Sequence, residues 1–97
     1  RLIPGMLVFR PADANETAEA YKVALRQNDR PSAMVLTRQG LPVIDKTKYP
    51  SFGNVEKGAY ILSGEENEVP DIVLIATGSE VHLALETAEQ LSGYRVR

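Results

Sequence analysis

The first forty residues contain two short apolar runs that are typical of buried β-strands. Residues 6–9 read MLVF, and residues 32–36 read SAMVL. The first run ends before Pro11, because proline lacks a backbone N–H and restricts the residue that precedes it. Apolar runs of this length, bounded by turn residues, indicate strands that lie inside a protein.

The stretch between these two runs has the pattern of an amphipathic helix. Asp13 or Asn15 can cap its start, Glu16 lies in its first turn and Arg26 lies near its end, where each charge favours the helix dipole. One apolar stripe at helical spacing consists of Ala18, Tyr21, Ala24 and Leu25. A strand, a helix and a strand within about thirty residues predict a βαβ unit with parallel strands.

Residues 39–58 interrupt this pattern. Glycine and proline recur through the segment with lysines between them, at Gly40, Pro42, Pro50, Gly53 and Gly58. A stretch this long and this broken is uncommon inside a compact domain. We therefore interpret it as a linker or crossing segment.

A second strand and helix pattern follows. Residues 59–62 and 71–76 are predicted strands, and the second is continuous and β-branched, as expected for burial on both faces. Ser79 is a suitable cap for the next helix, and residues 94–97 begin a further strand. The apolar stripe of that helix consists of Val81, Ala84, Leu85, Ala88 and Leu91.

Composition and charge exclude several classes of function. The apolar fraction of 43% and the charged fraction of 25% are ordinary for a globular protein. There is no cysteine, and the single histidine, His82, argues against a His-based metal site or a catalytic triad within this chain. No apolar stretch has the length of a membrane span, and the first residues lack a secretory pattern.

The charge is unevenly distributed. Residues 1–58 hold nine Lys and Arg against six Asp and Glu, whereas residues 59–97 hold two against seven. This difference indicates a basic surface followed by an acidic one. The basic excess is too small to indicate a nucleic-acid partner.

Two arginines are candidate anion-binding residues. Arg10 and Arg38 each follow a strand of the predicted βαβ unit, and ligands of parallel sheets bind outside the carboxyl ends of strands. A guanidinium there can hold a phosphate or a carboxylate through two parallel hydrogen bonds. From position alone, Arg10 is better interpreted as a strand-end residue paired with a carboxylate. For Arg38 both interpretations stay open.

Two weaker candidates are better explained without chemistry. The turn at residues 77–80, TGSE, exposes backbone N–H groups, but the motif is short and Glu80 repels anions, so a capped turn is favoured. His82 lies near the start of the second helix and off its apolar stripe. We expect it to face solvent and not to act as a general base.

Four blocks of the sequence together resemble one enzyme family. They read IPGMLVFRPADANETA (3–18), PSAMVLTRQGLP (31–42), VEKGAYIL (55–62) and DIVLIATGSEV (71–81). In content, order and spacing these blocks resemble transketolase, and because they extend from residue 3 to residue 81 the resemblance covers nearly the whole chain.

This resemblance implies an α/β architecture cut from a larger protein. Transketolase subunits have a diphosphate-binding, a pyrimidine-binding and a C-terminal domain. The chain is then expected to comprise the βαβ end of the pyrimidine-binding domain (1–38), an interdomain linker (39–58) and the first strand–helix unit of the C-terminal domain (59–97). A start without methionine and an end inside a predicted strand are consistent with a fragment.

The resemblance also implies a function for the parent protein. Transketolases use thiamine diphosphate and Mg²⁺ to move a two-carbon ketol unit between sugar phosphates, and they are cytoplasmic homodimers. The arginine of the family's S/T-R-Q block, here Arg38, binds the terminal phosphate of the substrate. The family's cofactor and metal ligands are expected before Arg1, so the chain alone should be inactive. Gly40 departs from the asparagine that is common in the family, and we expect altered flexibility there.

Three alternatives remain at this stage. Dihydroxyacetone synthase and deoxyxylulose-phosphate synthase are thiamine-dependent enzymes of similar architecture, and the TRQGLP block favours transketolase over the second only. The third alternative is a non-catalytic α/β interaction module.

Overall fold

The computed structural model describes residues 3–64 and 67–97. These residues form a parallel pair of strands, two α-helices and one 3₁₀ turn, which confirms the predicted α/β class. In chain order the elements are β1 (Leu7–Phe9), α1 (Ala14–Arg26), β2 (Ser32–Met34), the 3₁₀ turn (Val55–Lys57) and α2 (Glu80–Gln90). Neither helix has the length and apolar character that a bilayer crossing requires.

β1 and β2 are the parallel strands of the predicted βαβ unit. Leu7 pairs with Ser32, and Phe9 pairs with Met34. The Val35 N–H also donates to the Phe9 carbonyl at 2.8 Å, so hydrogen bonding continues one residue past β2. The carboxyl ends of both strands therefore lie at the same edge of the sheet.

Asp13, one of the two predicted caps, starts α1. Its Oδ1 accepts a hydrogen bond from the Glu16 N–H at 2.8 Å, and its carbonyl accepts from the Thr17 hydroxyl at 2.7 Å. Glu16 reaches back and accepts from the Ala12 N–H at 2.6 Å. These bonds satisfy N–H groups at and just before the helix start that have no intrahelical partner.

The predicted apolar stripe of α1 is wrong. Ala20 is the buried residue, at 1% exposure, whereas Tyr21 and Leu25 are 48% and 80% exposed. Glu16 bonds inward, to groups at the start of the helix and beyond it, and Ala20 lies one turn later on the same face. The polar contacts of Glu16 therefore determine which face of the helix is buried. The predicted apolar stripe lies on another face and is largely exposed.

The crossing segment at residues 39–58 contributes two of the core side chains. Ile44 and Phe52 are each 5% exposed and cluster with the fully buried Ala12. Partly buried side chains that pack against this cluster are Tyr49, Tyr60, Leu62, Val81 and Leu85. The segment is thus an ordered part of the packing and joins the βαβ unit to α2.

No strand forms at residues 59–62, so that prediction is wrong. The Tyr60 hydroxyl donates to Glu16 Oε1 at 2.7 Å and accepts from the Gly53 N–H at 3.2 Å. Leu62 packs against the core. Tyr60 and Leu62 are therefore held by side-chain contacts, without a backbone ladder, whereas Ala59 is exposed.

Residues 71–76 form only a short parallel bridge, in which Ile72 pairs with Val96. The predicted strand at residues 94–97 is the partner in this bridge. Burial of residues 71–76 on both faces is a wrong prediction, since Val73 and Ile75 are 56% and 91% exposed. The exposed and half-buried positions alternate, so the described residues cover one face of this run.

A two-point ion pair fixes the ends of this bridge. The Arg95 guanidinium donates to Asp71 Oδ1 at 2.9 Å and to Oδ2 at 3.2 Å. Hydrogen bonds from Arg95 lower the pKa of Asp71 to about 2. The pair is solvent-exposed, so its main effect is to orient the two segments.

The apolar stripe predicted for α2 is confirmed, since all five of its residues are half-buried. Ser79 precedes the helix, but its side chain forms no capping hydrogen bond. Its backbone is already helical, with φ of −63° and ψ of −22°, whereas a capping side chain requires a non-helical backbone. The predicted serine cap is therefore wrong.

We expect the 97-residue polypeptide to self-associate. Its accessible surface is 7067 Å², whereas a monomer of this mass exposes about 5,500 Å². Val73 and Ile75 contribute an apolar patch that water solvates poorly. Light scattering after size exclusion should show a mass above the monomer's that grows with concentration. The double variant Val73→Thr, Ile75→Thr should have a lower apparent mass than the wild type at the same concentration. A wild-type chain that stays monomeric at high concentration contradicts the expectation.

The Tyr60 hydroxyl should ionise at unusually high pH. Burial, and then the hydrogen bond to Glu16, raise the pKa of Tyr60 above its ordinary value. Because folding favours the protonated form, the resulting stabilisation is present below the unfolded pKa of about 10 and is lost as the pH rises through the folded pKa. The measurement is the change in tyrosine absorbance as the pH is raised. Subtracting the titration curve of Tyr60→Phe from that of the wild type gives the ionisation of the Tyr60 hydroxyl alone.

Glu16→Gln provides the matched control for this titration. Loss of the negative charge should lower the Tyr60 midpoint while leaving it above about 10, since burial remains. A wild-type midpoint at the ordinary tyrosine value contradicts the half-buried contact between Tyr60 and Glu16.

Candidate functional site

The carboxyl edge of the β1–β2 pair carries the two candidate arginines. Arg10 directly follows β1, and Arg38 lies four residues beyond β2. The parallel register brings both strand ends to one edge, as predicted. The structure then gives the two guanidinium groups different surroundings.

Arg10 is engaged by the turn that precedes α2. Its Nη1 donates to Thr77 Oγ1 at 3.0 Å, and its Nη2 lies 3.4 Å from Glu80 Oε2. The Arg10 carbonyl also accepts from the Gly78 N–H at 2.9 Å. The interpretation of Arg10 as a strand-end residue paired with a carboxylate is confirmed.

Arg38 lies in an exposed segment past the end of β2. Within residues 3–64 and 67–97, no side chain forms an ion pair or a hydrogen bond with it. Its positive charge is therefore not neutralised by the described part of the chain. An exposed guanidinium at a strand edge is available to an anionic ligand.

A local turn shapes the loop around Arg38. The Gln39 N–H donates to Thr37 Oγ1 at 3.1 Å, which is a side-chain turn of the type that serine and threonine form. A Cβ added at Gly40 would meet nothing within 4 Å, and the backbone of Gly40 lies outside the left-handed region. The position therefore has no steric need for glycine, and an asparagine fits there equally well.

The turn at residues 77–80 holds no free anion site at its glycine. The Gly78 N–H is used by the Arg10 carbonyl, and Gly78 is buried with φ of +60°. The Glu80 carboxylate faces Arg10. The turn thus fastens α2 to the end of β1, which agrees with the structural interpretation of this motif.

His82 does not face solvent as expected. It is half-buried, and its Nε2 lies 3.3 Å from the Ala12 carbonyl. Its position follows from the packing of α2 against the start of α1, which the sequence pattern of one helix does not reveal. A single contact to a backbone carbonyl gives it a structural role.

Sequence reasoning missed the polar centre next to this edge. Asp13 Oδ2 accepts from the Ile44 N–H at 2.9 Å, and Glu16 accepts from the Tyr60 hydroxyl at 2.7 Å. The D-x-x-E spacing of Asp13 and Glu16 is the signal of a reciprocal helix cap and identifies half of this centre. The partners Ile44 and Tyr60 lie 31 and 44 residues away, and no local pattern marks them.

The described residues offer no metal site. No group of three or more His, Cys, Asp or Glu side chains is arranged to hold an ion among them. Among these residues, the edge carries one guanidinium without a side-chain partner, that of Arg38, and one that is paired, that of Arg10. This arrangement suits binding and orienting an anion.

Two family models match the chain. The model described as "Transketolase, pyrimidine binding domain" matches residues 1–43. The model described as "Transketolase-like TK C-terminal domain" matches residues 58–97. Both matches fall on blocks that resemble transketolase in the sequence.

Curated relatives give the same result. The transketolase of Bacillus subtilis (strain 168) is 52% identical over 92 residues, which cover 95% of this chain and 14% of the relative. The transketolase of Geobacillus stearothermophilus is 48% identical over 92 residues, with the same coverage. The chain thus spans about 14% of the length of these relatives. The dihydroxyacetone synthase, deoxyxylulose-phosphate synthase and interaction-module alternatives are not favoured.

Solved structures agree in fold as well. A Pichia stipitis transketolase mutant in complex with fructose-6-phosphate superposes with a TM-score of 0.79 at 38% identity, over 99% of this chain and 14% of that one. A Pichia stipitis transketolase in complex with sedoheptulose-7-phosphate gives the same TM-score and identity. The sequence blocks, both family models and these structures lead to one conclusion: the chain belongs to the transketolase family.

Proposed function

We propose that the full-length protein containing this chain is a transketolase that transfers a two-carbon ketol unit between sugar phosphates, and that Arg38 binds the terminal phosphate of the substrate. The observation that carries the proposal is the exposed, unneutralised Arg38 at the carboxyl edge of the β1–β2 pair. Two related Pichia stipitis transketolases were solved with sugar phosphates, which supports this substrate class.

The chemistry of Arg38 suits a phosphate. A guanidinium presents parallel N–H donors that match two phosphate oxygens, and it stays charged at any physiological pH. A charge-assisted contact of this kind contributes about 1.5–3 kcal/mol, or roughly 10- to 150-fold in affinity. Arg10 is less suited, because Thr77 and Glu80 already occupy its donors.

We further propose that the full-length enzyme uses thiamine diphosphate and Mg²⁺. The residues that the structure describes include no cluster of His, Cys, Asp or Glu that can ligate a metal, so we expect the Mg²⁺ ligands in other parts of the full-length enzyme. The role that we propose for this chain is to bind and orient the substrate's phosphate through Arg38. The 97 residues alone are expected to be inactive.

The proposed organisation has three parts. Residues 1–38 end the pyrimidine-binding domain, residues 39–58 cross between domains, and residues 59–97 begin the C-terminal domain. The positions of the two family-model matches support this division. We also propose a cytoplasmic homodimer, with no nucleic-acid or membrane partner.

Replacing Arg38 by alanine in the full-length protein tests the phosphate assignment. We expect KM for a phosphorylated acceptor to rise at least about tenfold, since a charge-assisted contact is lost. KM for the unphosphorylated analogue of the same acceptor should change little. Steady-state kinetics with both acceptors measures the two effects.

Two matched variants complete the experiment. Arg38→Lys keeps the charge but loses the paired donors, so its KM for the phosphorylated acceptor should lie between those of wild type and Arg38→Ala. Arg26→Ala removes an exposed arginine at the end of α1 and should leave both KM values unchanged. If Arg38→Ala affects both acceptors equally, or neither, the phosphate assignment is wrong.

A further inference from the structure

The loop that carries Arg38 is fixed at both ends to one short stretch of chain. At its start, the Val35 N–H donates to the Phe9 carbonyl at 2.8 Å. At its end, the Ile44 N–H donates to Asp13 Oδ2 at 2.9 Å. Residues 9–13 thus hold both ends of the loop, and residues 36–43 span the distance between them.

The Asp13 anchor is buried and uses both carboxylate oxygens. Asp13 is 5% exposed, and so is its partner Ile44. Oδ1 accepts from the Glu16 N–H at 2.8 Å while Oδ2 accepts from Ile44. A carboxylate bonded to backbone N–H groups away from water makes a strong and directional contact, so it holds the end of the loop firmly.

The rest of the loop has little else to hold it. Residues 36–40 are exposed, and the local turn from Gln39 to Thr37 is the hydrogen bond that the structure shows within them. Without the Asp13 bond, the far end of the loop would be held by the apolar packing of the Ile44 side chain, which restricts the backbone less than a directional hydrogen bond does. A guanidinium on a longer free segment loses more conformational entropy when it binds a phosphate.

We infer that Asp13 is a positioning residue for Arg38. By accepting the hydrogen bond from Ile44, it fixes the conformation of the loop from which Arg38 binds the substrate's phosphate. The inference rests on the proposed phosphate-binding role of Arg38. It differs from a simple helix cap, because a cap needs only Oδ1, whereas the loop anchor needs Oδ2. The two functions of one carboxylate can therefore be separated.

Asp13→Asn separates them in the full-length protein. The amide oxygen can still cap α1, whereas the amide NH₂ is a donor and cannot accept from the Ile44 N–H. Asp13→Ser is the second variant, since serine caps a helix with one oxygen and leaves Ile44 without its acceptor. Tyr60→Phe is the control. It removes the hydrogen bond between Tyr60 and Glu16, which belongs to the same polar centre but does not hold the loop.

The readout is the ratio of KM for the phosphorylated acceptor to KM for its unphosphorylated analogue. In Asp13→Asn and Asp13→Ser this ratio should rise about two- to tenfold, because the loss of one hydrogen bond weakens binding by about this factor. Tyr60→Phe should leave the ratio unchanged. Amide exchange at Ile44 and through residues 36–43 should accelerate in both Asp13 variants and not in Tyr60→Phe.

A double-mutant cycle shows whether Asp13 acts through Arg38. In an Arg38→Ala background, Asp13→Asn should add no further rise in the KM ratio, since the group that it positions is gone. An additive effect overturns the inference. So does an equal rise of both KM values in Asp13→Asn, because a general disturbance of the fold affects both acceptors alike.

The same experiment distinguishes this inference from the proposed function. If Arg38→Ala raises the ratio but neither Asp13 variant does, Asp13 has no positioning role and the phosphate assignment of Arg38 stands. If Arg38→Ala itself leaves the ratio unchanged, the phosphate assignment is wrong, and the positioning role that rests on it falls with it.

Discussion

The hydrogen-bonded carboxylates of Asp13, which is buried, and of Glu16, which is half-buried, are the constraint on which the rest of this structure depends. Together they accept hydrogen bonds from the backbone of Ala12 and Ile44, from the N-terminus of α1 and from the hydroxyl of Tyr60. Carboxylates removed from water must be fully hydrogen-bonded, because each missing bond carries a large desolvation penalty. The first turn of α1 therefore holds three segments in place relative to each other. These are the residues that follow β1, the crossing segment at Ile44 and the run at residues 59–62 through Tyr60.

This polar centre explains why the segment at residues 39–58 is ordered despite its turn-rich sequence. Its backbone is held at Ile44, and its apolar side chains, Ile44 and Phe52, complete the core around Ala12. Few apolar residues are needed, because the hydrogen bonds already restrict the path of the chain. A sequence that looks like a linker can thus supply the central packing of a structure.

The uneven charge of the sequence has a structural counterpart. The acidic second part approaches the basic first part through contacts such as Arg10 with Glu80 and Lys48 with Glu89. Exposed ion pairs of this kind contribute little stability, but they neutralise the cations that they contact. Among the described residues at the carboxyl edge, Arg10 is paired with a carboxylate and Arg38 is not, so Arg38 is the guanidinium whose charge is available to a ligand.

The sequence by itself determined the local elements: the strand–helix–strand unit, a cap for α1 at Asp13 or Asn15, the stripe of α2 and the placement of both arginines after strands. These depend on periodicity, capping chemistry and chain order, which neighbouring residues specify. The resemblance to transketolase was also readable, because its blocks are continuous in sequence.

Only the tertiary structure decided which faces are covered and which charges are free. Leu25 and Ile75 are exposed and His82 is half-buried, although their local patterns predict the reverse. It also decided that Arg10 is paired with Glu80, whereas Arg38 has no partner within residues 3–64 and 67–97. These outcomes depend on partners tens of residues away, and the pairing of distant segments is not encoded in any local pattern.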